Sequence, residues 1–189
     1  MASGETVDDV IRRIITILDA AGIPYMLTGS FASSLHGMPR ATQDIDLVIA
    51  PNPASLDALL KNFPEDQYYV SREAALDAYQ RASLFNVIDF ASGWKIDFIV
   101  RKPRDFSQVE FDRRTPADVL GTTVFVASAE DVLISKLEWA KIAESERQIE
   151  DAAGIIRTQG HDLDTAYIEH WAEKLGLQAQ WKMAKAKIS

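Results

Sequence analysis

The sequence of 189 residues contains no cysteine, so neither a disulfide framework nor a thiolate metal site can form. It has no apolar run close to the ~20 residues that a membrane-spanning helix needs. It also shows no charged-then-apolar leader of the kind that forms a signal peptide. These absences predict a cytoplasmic protein with no membrane role.

Positive charge is scarce, with 20 Lys and Arg residues against 28 Asp and Glu residues and a net charge of −8. This balance argues against a broad electrostatic footprint on nucleic acid. Hydrophobic residues make up 47% of the chain and charged residues 25%, as in ordinary globular proteins, so the composition suggests neither a disordered nor a fibrous class. A chain of this length can bury a substantial core.

The hydrophobic periodicity predicts an α/β (α+β) fold, in which a small mixed, twisted sheet is backed by helices and followed by a C-terminal helical tail. We expect a catalytic domain over residues 1–127 and a C-terminal helical region, residues 128–189, packed on it. Strands are predicted at 24–28, 44–49, 68–70, 84–90 and 94–100, and helices at 7–21, 31–35, 56–63, 71–79, from 128 onward, 149–157 and 163–175.

Three acids stand in apolar strands, and this is the strongest chemical signal of the chain. Asp44 and Asp46 flank Ile45, and residues two apart on a strand point to the same face. Asp97 lies in a later apolar strand, which a neighbouring position in the sheet would bring alongside the pair. Burying a carboxylate without a partner costs several kcal/mol, and a divalent cation would remove this cost. Oxygen-only ligation favours Mg²⁺ or Mn²⁺.

A second interpretation of the acids is an exposed strand end on which Asp44, Asp46 and Asp97 pair with arginine or lysine. The order, spacing and apolar flanks of the three acids favour the metal site.

Gly29 and Ser30 follow the first predicted strand at the point where a helix begins. A residue without a side chain lets backbone amides approach a triphosphate closely, and a helix N-terminus attracts anions. Ser30 can add a hydroxyl donor. Gly29 as a tight turn and Ser30 as a simple helix N-cap are the alternatives.

The motif formed by Gly29-Ser30, thirteen intervening residues, Asp44-Ile45-Asp46 and then Lys95-Ile96-Asp97-Phe98 resembles the signature of the DNA polymerase β-like nucleotidyltransferase superfamily. Residues 27–32 and 36–46 look like the small bacterial and archaeal members. The helical remainder, including residues 129–137, is similar to the tails of abortive-infection toxin-type and minimal nucleotidyltransferases.

The resemblance implies transfer of a nucleoside monophosphate from a nucleoside triphosphate to an acceptor hydroxyl, with pyrophosphate leaving. Two Mg²⁺ (or Mn²⁺) ions would be held by Asp44, Asp46 and Asp97, of which Asp97 would also take the acceptor proton. Arg40 and Thr42 are predicted to contact phosphate oxygens.

Lys136, on the first helix of the tail, is predicted to reach the nucleotide. The acceptor class stays open between RNA, a protein and a small molecule, as in aminoglycoside- or lincosamide-modifying relatives. A non-catalytic nucleotide-binding regulatory protein or a toxin–antitoxin component is the alternative function, and a partner protein or a homo-oligomer is open. The cluster Arg101, Lys102, Arg104, Arg113 and Arg114 is either a phosphate- or RNA-recruiting surface or ordinary solvated charge.

Overall fold

A computed structural model describes residues 6–39 and 41–188, and helices and strands are mixed throughout these ranges. In chain order the elements are α1 (Val7–Ala20), β1 (Tyr25–Thr28), α2 (Gly29–His36), β2 (Asp44–Ile49), α3 (Pro53–Leu60), β3 (Tyr68–Val70), α4 (Arg72–Arg81), β4 (Leu84–Asp89), β5 (Lys95–Val100), α5 (Asp105–Asp112), β6 (Thr115–Val119), β7 (Thr122–Val126), α6 (Ala129–Ala143), α7 (Glu146–Gln159), a short 3-10 helix (Gly160–Asp162), α8 (Thr165–Lys174) and α9 (Gln178–Ala186).

The chain folds into two compact units. One comprises residues 1–27 and 42–126 and contains the sheet, and the other comprises residues 28–41 and 127–189 and is helical. The chain leaves the helical unit after residue 41 and returns to it at residue 127. The segment 28–41, which the sequence analysis assigned to the first domain, groups with the C-terminal helices.

The sheet unit is built on strands in the order β3-β4-β5-β2-β1-β7-β6. β2 pairs with β5 and β1 pairs with β7 in parallel, whereas the β3–β4, β4–β5 and β6–β7 pairs are antiparallel. The predicted mixed sheet and the predicted hairpin of β4 and β5 are therefore confirmed. β6 and β7 extend the sheet beyond the strands that periodicity predicted.

The core of the sheet unit is apolar and partly aromatic. Phe98 on β5 is fully buried, and its ring centroid lies 5.3 Å from that of Phe85 and 6.1 Å from that of Phe63. α1 is amphipathic, as predicted, and places one apolar face in the core. The buried residues of that face are Val10, Ile11, Ile14, Ile15 and Leu18.

The helical unit is organised around α6, which packs against α2, α7, α8 and α9. α6 begins after Ser128, whose hydroxyl accepts a hydrogen bond from the backbone N–H of Asp131, so the predicted N-cap is confirmed. The Asp131 carboxylate is fully buried and accepts a 2.6 Å hydrogen bond from the Tyr167 hydroxyl. In residues 6–39 and 41–188, no helix has the length and apolar character that a membrane span requires.

Candidate active site

The three strand acids lie on one face of two adjacent strands. β2 begins with a half-buried Asp44, a buried Ile45 and a half-buried Asp46, and only apolar residues follow. In the parallel register of β2 and β5, Asp46 stands opposite Asp97, and Asp44 stands opposite Lys95. Because side chains alternate along a strand, these four polar side chains share one face. The structure thus confirms that the strand of Asp97 is a neighbour of the strand of the acid pair.

Lys95 lies between two of the acids. Its Nζ atom is 2.9 Å from Oδ2 of Asp97 and 3.3 Å from Oδ1 of Asp44. The hydrogen bond to Asp97 raises the pKa of Lys95; burial opposes this rise, and the charges of Asp97 and Asp44 reinforce it. The pairing of strand acids with lysine that was the second sequence interpretation therefore occurs at two of the three acids.

Asp97 keeps one acceptor atom unused in the described part of the chain. Its side chain is 14% exposed, and Oδ1 is buried without a hydrogen-bond partner there, while Oδ2 receives Lys95. A buried, unsatisfied carboxylate oxygen costs free energy that a cation or a hydrogen-bond donor would recover. Oδ1 of Asp97 can therefore accept a cation or a hydrogen-bond donor on the face that carries the three acids.

The donor set suits Mg²⁺ or Mn²⁺ chemically, because it offers carboxylate oxygens and neither nitrogen nor sulfur. Within the described ranges, however, no three His, Asp or Glu side chains are placed so that together they could hold a metal ion. The Lys95 ammonium lies between the carboxylates of Asp44 and Asp97.

Gly29 and Ser30 lie in the helical unit, at the start of α2. Gly29 has φ +66°, a left-handed conformation that favours glycine, and Thr28 before it is extended. Ser30 is buried with 9% of its surface exposed. The strand, the glycine turn and the helix thus follow one another as predicted, with α2 beginning two residues earlier than expected, at Gly29.

Thr42, Lys136 and Arg40 are the other residues that the sequence predicts to contact phosphate or nucleotide. The backbone N–H of Asp44 donates to the Thr42 hydroxyl at 3.2 Å, so Thr42 organises the start of β2. Lys136 is buried on α6 and pairs with Asp151 of α7 at 2.9 Å. Arg40 lies outside the described residues.

Three of the basic residues after β5, Arg101, Arg104 and Arg114, lie over aromatic rings. The Arg101 guanidinium lies 5.1 Å from the Phe111 ring centroid, and that of Arg114 lies 4.0 Å from the same ring. Arg101 follows the carboxyl end of β5, whereas Asp97 lies nearer the start of that strand. The described geometry gives these arginines packing roles.

Comparison with known proteins identifies the fold formed by these strands and helices. No protein-family model matches the sequence, and no curated protein matches it. Among solved structures, the antibiotic-resistance factor ANT(2'')-Ia superposes with a TM-score of 0.55 at 16% identity, over 95% of this chain and 92% of that one. This chain has the nucleotidyltransferase fold.

Two further structures with the nucleotidyltransferase fold agree. An antigenic nucleotidyltransferase-like protein from Paracoccidioides brasiliensis has a TM-score of 0.54 at 20% identity, covering 92% of this chain and 91% of that one. The lincosamide antibiotic adenylyltransferase LnuA has a TM-score of 0.54 at 14% identity, covering 81% and 98%. At identities this low, the superpositions establish the fold alone. The activity has to be argued from the residues.

Within this nucleotidyltransferase fold, sequence reasoning missed the role of Lys95. The signal was available, because Lys95 precedes Asp97 by two residues on a strand and must share its face. Its contact with Asp44 could not be derived from spacing, since it depends on the register of β2 against β5.

Proposed function

We propose that this protein is a metal-dependent nucleotidyltransferase that transfers a nucleoside monophosphate from a nucleoside triphosphate to an acceptor hydroxyl. The observation that carries the proposal is the pairing of Asp46 with Asp97 across adjacent parallel strands, with Asp44 on the same face and Oδ1 of Asp97 buried without a donor among the described residues. This arrangement supplies several carboxylate oxygens at one place on a rigid sheet.

Asp44, Asp46 and Asp97 are the residues that would hold Mg²⁺ or Mn²⁺, as two ions. When bound, such ions neutralise phosphate charge and make an acceptor hydroxyl more acidic. The sheet keeps the backbones of the three acids in place, so little reorganisation accompanies binding beyond movement of side chains.

In the proposed transfer, the acceptor oxygen forms a bond to the α-phosphorus of the triphosphate. The bond from that phosphorus to the oxygen bridging to the β-phosphate breaks, and pyrophosphate leaves with the electron pair. The carboxylate of Asp97 accepts the proton of the acceptor hydroxyl. Asp97 suits this role because one of its oxygens has no hydrogen-bond donor in the described structure.

Gly29 and Ser30 are the proposed phosphate contacts. The left-handed Gly29 at the start of an eight-residue helix supports this assignment, because the first amides of a helix have no intrahelical acceptor and Gly29 adds no side chain beside them. Arg40, Thr42 and Lys136 stay predictions. For Lys136, direct nucleotide contact requires its buried pair with Asp151 to open.

For the acceptor, we propose a small cationic molecule bearing a hydroxyl. The net charge of −8 favours cationic ligands over RNA. Two structures that share the fold are consistent with this choice: ANT(2'')-Ia is described in complex with adenylyl-2''-tobramycin, and LnuA is described with lincomycin bound.

The test is transfer of label from each of the four α-³²P nucleoside triphosphates, with Mg²⁺ or Mn²⁺, to aminoglycosides, lincosamides, cellular RNA or protein. We expect labelled product from at least one triphosphate and an antibiotic-like acceptor, and a loss of at least about a hundredfold in Asp97→Asn. Asp77→Asn is the matched control, because Asp77 is a half-exposed surface acid on α4 paired with Arg81.

Each negative outcome has its own meaning. Stabilisation by triphosphate and metal, without product on any acceptor, would favour the non-catalytic nucleotide-binding alternative. Product on RNA or protein would retain the activity and overturn the proposed acceptor. Equal rates in Asp97→Asn and Asp77→Asn would remove Asp97 from the reaction.

A further inference from the structure

Lys95 is the cation that the acidic face already contains. Its ammonium group lies within 2.9 Å of Asp97 and 3.3 Å of Asp44, two of the three proposed metal ligands, and it stands directly opposite Asp44 in the β2–β5 register. The backbone N–H of Lys95 donates to the carbonyl of Gln43, so the base of the side chain is held against the start of β2. The contact with both acids is therefore built into the strand pairing.

This placement has a cost for a divalent ion that approaches the same carboxylates. An ion that approaches Oδ1 of Asp97 meets the ammonium on Oδ2 of the same carboxylate and on Asp44, so the two cations repel each other and binding of the ion favours release of Lys95. The Lys95 side chain is 36% exposed, so it has open solvent into which it can swing. The displaced charge stays on the same face and repels the arriving cation.

We propose that Lys95 is a positioning residue that serves as an internal counterion: it holds Asp44 and Asp97 in the metal-free protein and weakens the site's affinity for free divalent metal. The inference rests on the proposed function, because it takes Asp44 and Asp97 as the metal ligands. Its consequence is that free metal alone fills the site poorly, and that a metal-bound polyphosphate, with its own negative charge to engage the released ammonium, is the preferred ligand.

The test is a titration of the nucleotide-free full-length protein with Mn²⁺ alone, in which the free ion is followed by electron paramagnetic resonance. We expect Lys95→Met to bind Mn²⁺ roughly tenfold more tightly than the wild type, because one competing positive charge is removed within contact distance. Lys95→Arg keeps the charge and should stay near the wild-type Kd. Lys61→Met is the matched control, since Lys61 pairs with the surface acid Asp57 at 2.8 Å on α3.

A second measurement on the wild type needs no variant. Acetylation of lysines by an amine-reactive ester, followed by mass spectrometry, should modify Lys95 faster when Mn²⁺ is present, because the amine is released from Asp97. Lys61 should be unaffected. Unchanged or slower modification of Lys95 would contradict the displacement.

The outcomes separate this inference from the proposed function. Equal or weaker Mn²⁺ binding by Lys95→Met, with wild-type binding intact, overturns the counterion role and leaves the nucleotidyl transfer untouched. Absence of transfer with tighter Mn²⁺ binding by Lys95→Met removes the proposed activity and keeps the counterion role. Absence of Mn²⁺ binding in every protein, Lys95→Met included, overturns the counterion role, and the label-transfer assay then decides the proposed activity by itself.

Discussion

Gly29 is a single residue whose backbone conformation restricts what the position accepts. It has φ +66° and is the first residue of α2, directly after the extended Thr28. A side chain in the left-handed region meets the adjacent carbonyl oxygen, so any residue other than glycine is strained there. The proposed phosphate-binding turn thus depends on glycine for a backbone reason as well as for access to the ligand.

We expect Gly29→Ala to lower the free energy of unfolding by about 1–2 kcal/mol, the cost of placing a side chain in the left-handed region. Urea denaturation followed by circular dichroism measures the change. Part of the loss is offset by the reduced freedom of the unfolded chain with alanine.

The control for Gly29→Ala is Gly154→Ala, a substitution at a glycine within α7. A Cβ atom at Gly154 would meet the nearest atom, Cγ of Met38, at 3.6 Å, which is an ordinary contact. Alanine is favoured over glycine in a helix by about 1 kcal/mol, so this variant should be at least as stable as the wild type. A similar loss in both variants would contradict the role of the positive φ at Gly29.

At the scale of elements, α1 is tied to β4 by an ion pair between Arg13 and Asp89. The Asp89 side chain is 3% exposed, and it also accepts a hydrogen bond from the backbone N–H of Ala91. Burial by itself would raise the pKa of Asp89, but the hydrogen bonds from Ala91, Ser92 and Arg13 together outweigh it and hold the pKa below the usual 3.8. The charged form of Asp89 is therefore the one that the fold stabilises.

We expect Asp89→Asn to lower the free energy of unfolding at neutral pH by about 1–3 kcal/mol, because Arg13 loses its charged partner. Since the folded pKa of Asp89 is depressed, its contribution is present above the unfolded value of 3.8 and is lost as the pH falls through the lower, folded value. The difference between wild type and variant should be constant from about pH 7 to about pH 5 and shrink below about pH 4. Urea titrations across this range measure it.

Asp77→Asn is the control for this pH series, because Asp77 is 52% exposed and pairs only with Arg81 on the same helix among its described ion pairs. It should change stability little at any pH. A stability difference for Asp89→Asn that already declines between about pH 7 and pH 5 would contradict the depressed pKa.

The β6–β7 hairpin is an element that the sequence analysis did not predict. Its turn consists of Leu120 and Gly121, with φ values of +52° and +78°, and both residues lie between the paired Val119 and Thr122. Two positive φ values are typical of a type I′ turn, whose usual sequence is Asn-Gly or Asp-Gly. Leucine at the first position and proline in β6 hide this hairpin from pattern analysis.

We expect Leu120→Asn to raise the free energy of unfolding by about 1 kcal/mol, because asparagine tolerates the left-handed conformation better than leucine. Little apolar burial is lost, since Leu120 is 50% exposed. Thermal or urea unfolding measures the gain. Leu120→Ala removes the same exposed side chain but keeps the backbone cost, so an alanine variant as stable as the asparagine variant would refute the turn argument.

At the scale of the whole molecule, charge and ligand binding are linked. The chain carries a net charge of −8, and three of its acids are gathered on one face of the sheet unit, where Lys95 pairs with two of them. Cations that bind the native state alone stabilise it by mass action. The proposed metal and nucleotide should therefore raise the stability of the protein.

We expect Mg²⁺ together with the preferred nucleoside triphosphate to stabilise the protein by about 2.7 kcal/mol at a hundredfold excess over Kd. For a chain of this size that corresponds to a rise in Tm of several degrees. Scanning calorimetry with each triphosphate measures the shift, and EDTA should abolish it. The same ligands should have little effect on Asp97→Asn, and a wild-type Tm unmoved by all four triphosphates would contradict ligand binding.

Local sequence patterns were sufficient to predict several helices and strands of this protein and the face on which two of its acids lie. The alternation in Asp44-Ile45-Asp46 placed two acids on one face because side chains on a strand have a period of two, and the structure confirms β2 with the same bounds. The amphipathic face of α1 and the Ser128 cap of α6 were predictable for the same reason, since each depends on residues a few positions apart.

Tertiary structure alone decided which distant residues meet. Asp46 stands opposite Asp97, and Lys95 reaches Asp44, only because β2 and β5 pair in parallel in one register, a pairing set by packing and chain closure between segments far apart in sequence. The grouping of residues 28–41 with the C-terminal helices has the same origin. The three acids could be identified from the sequence. The contact of Lys95 with two of them could be identified only from the register of β2 against β5.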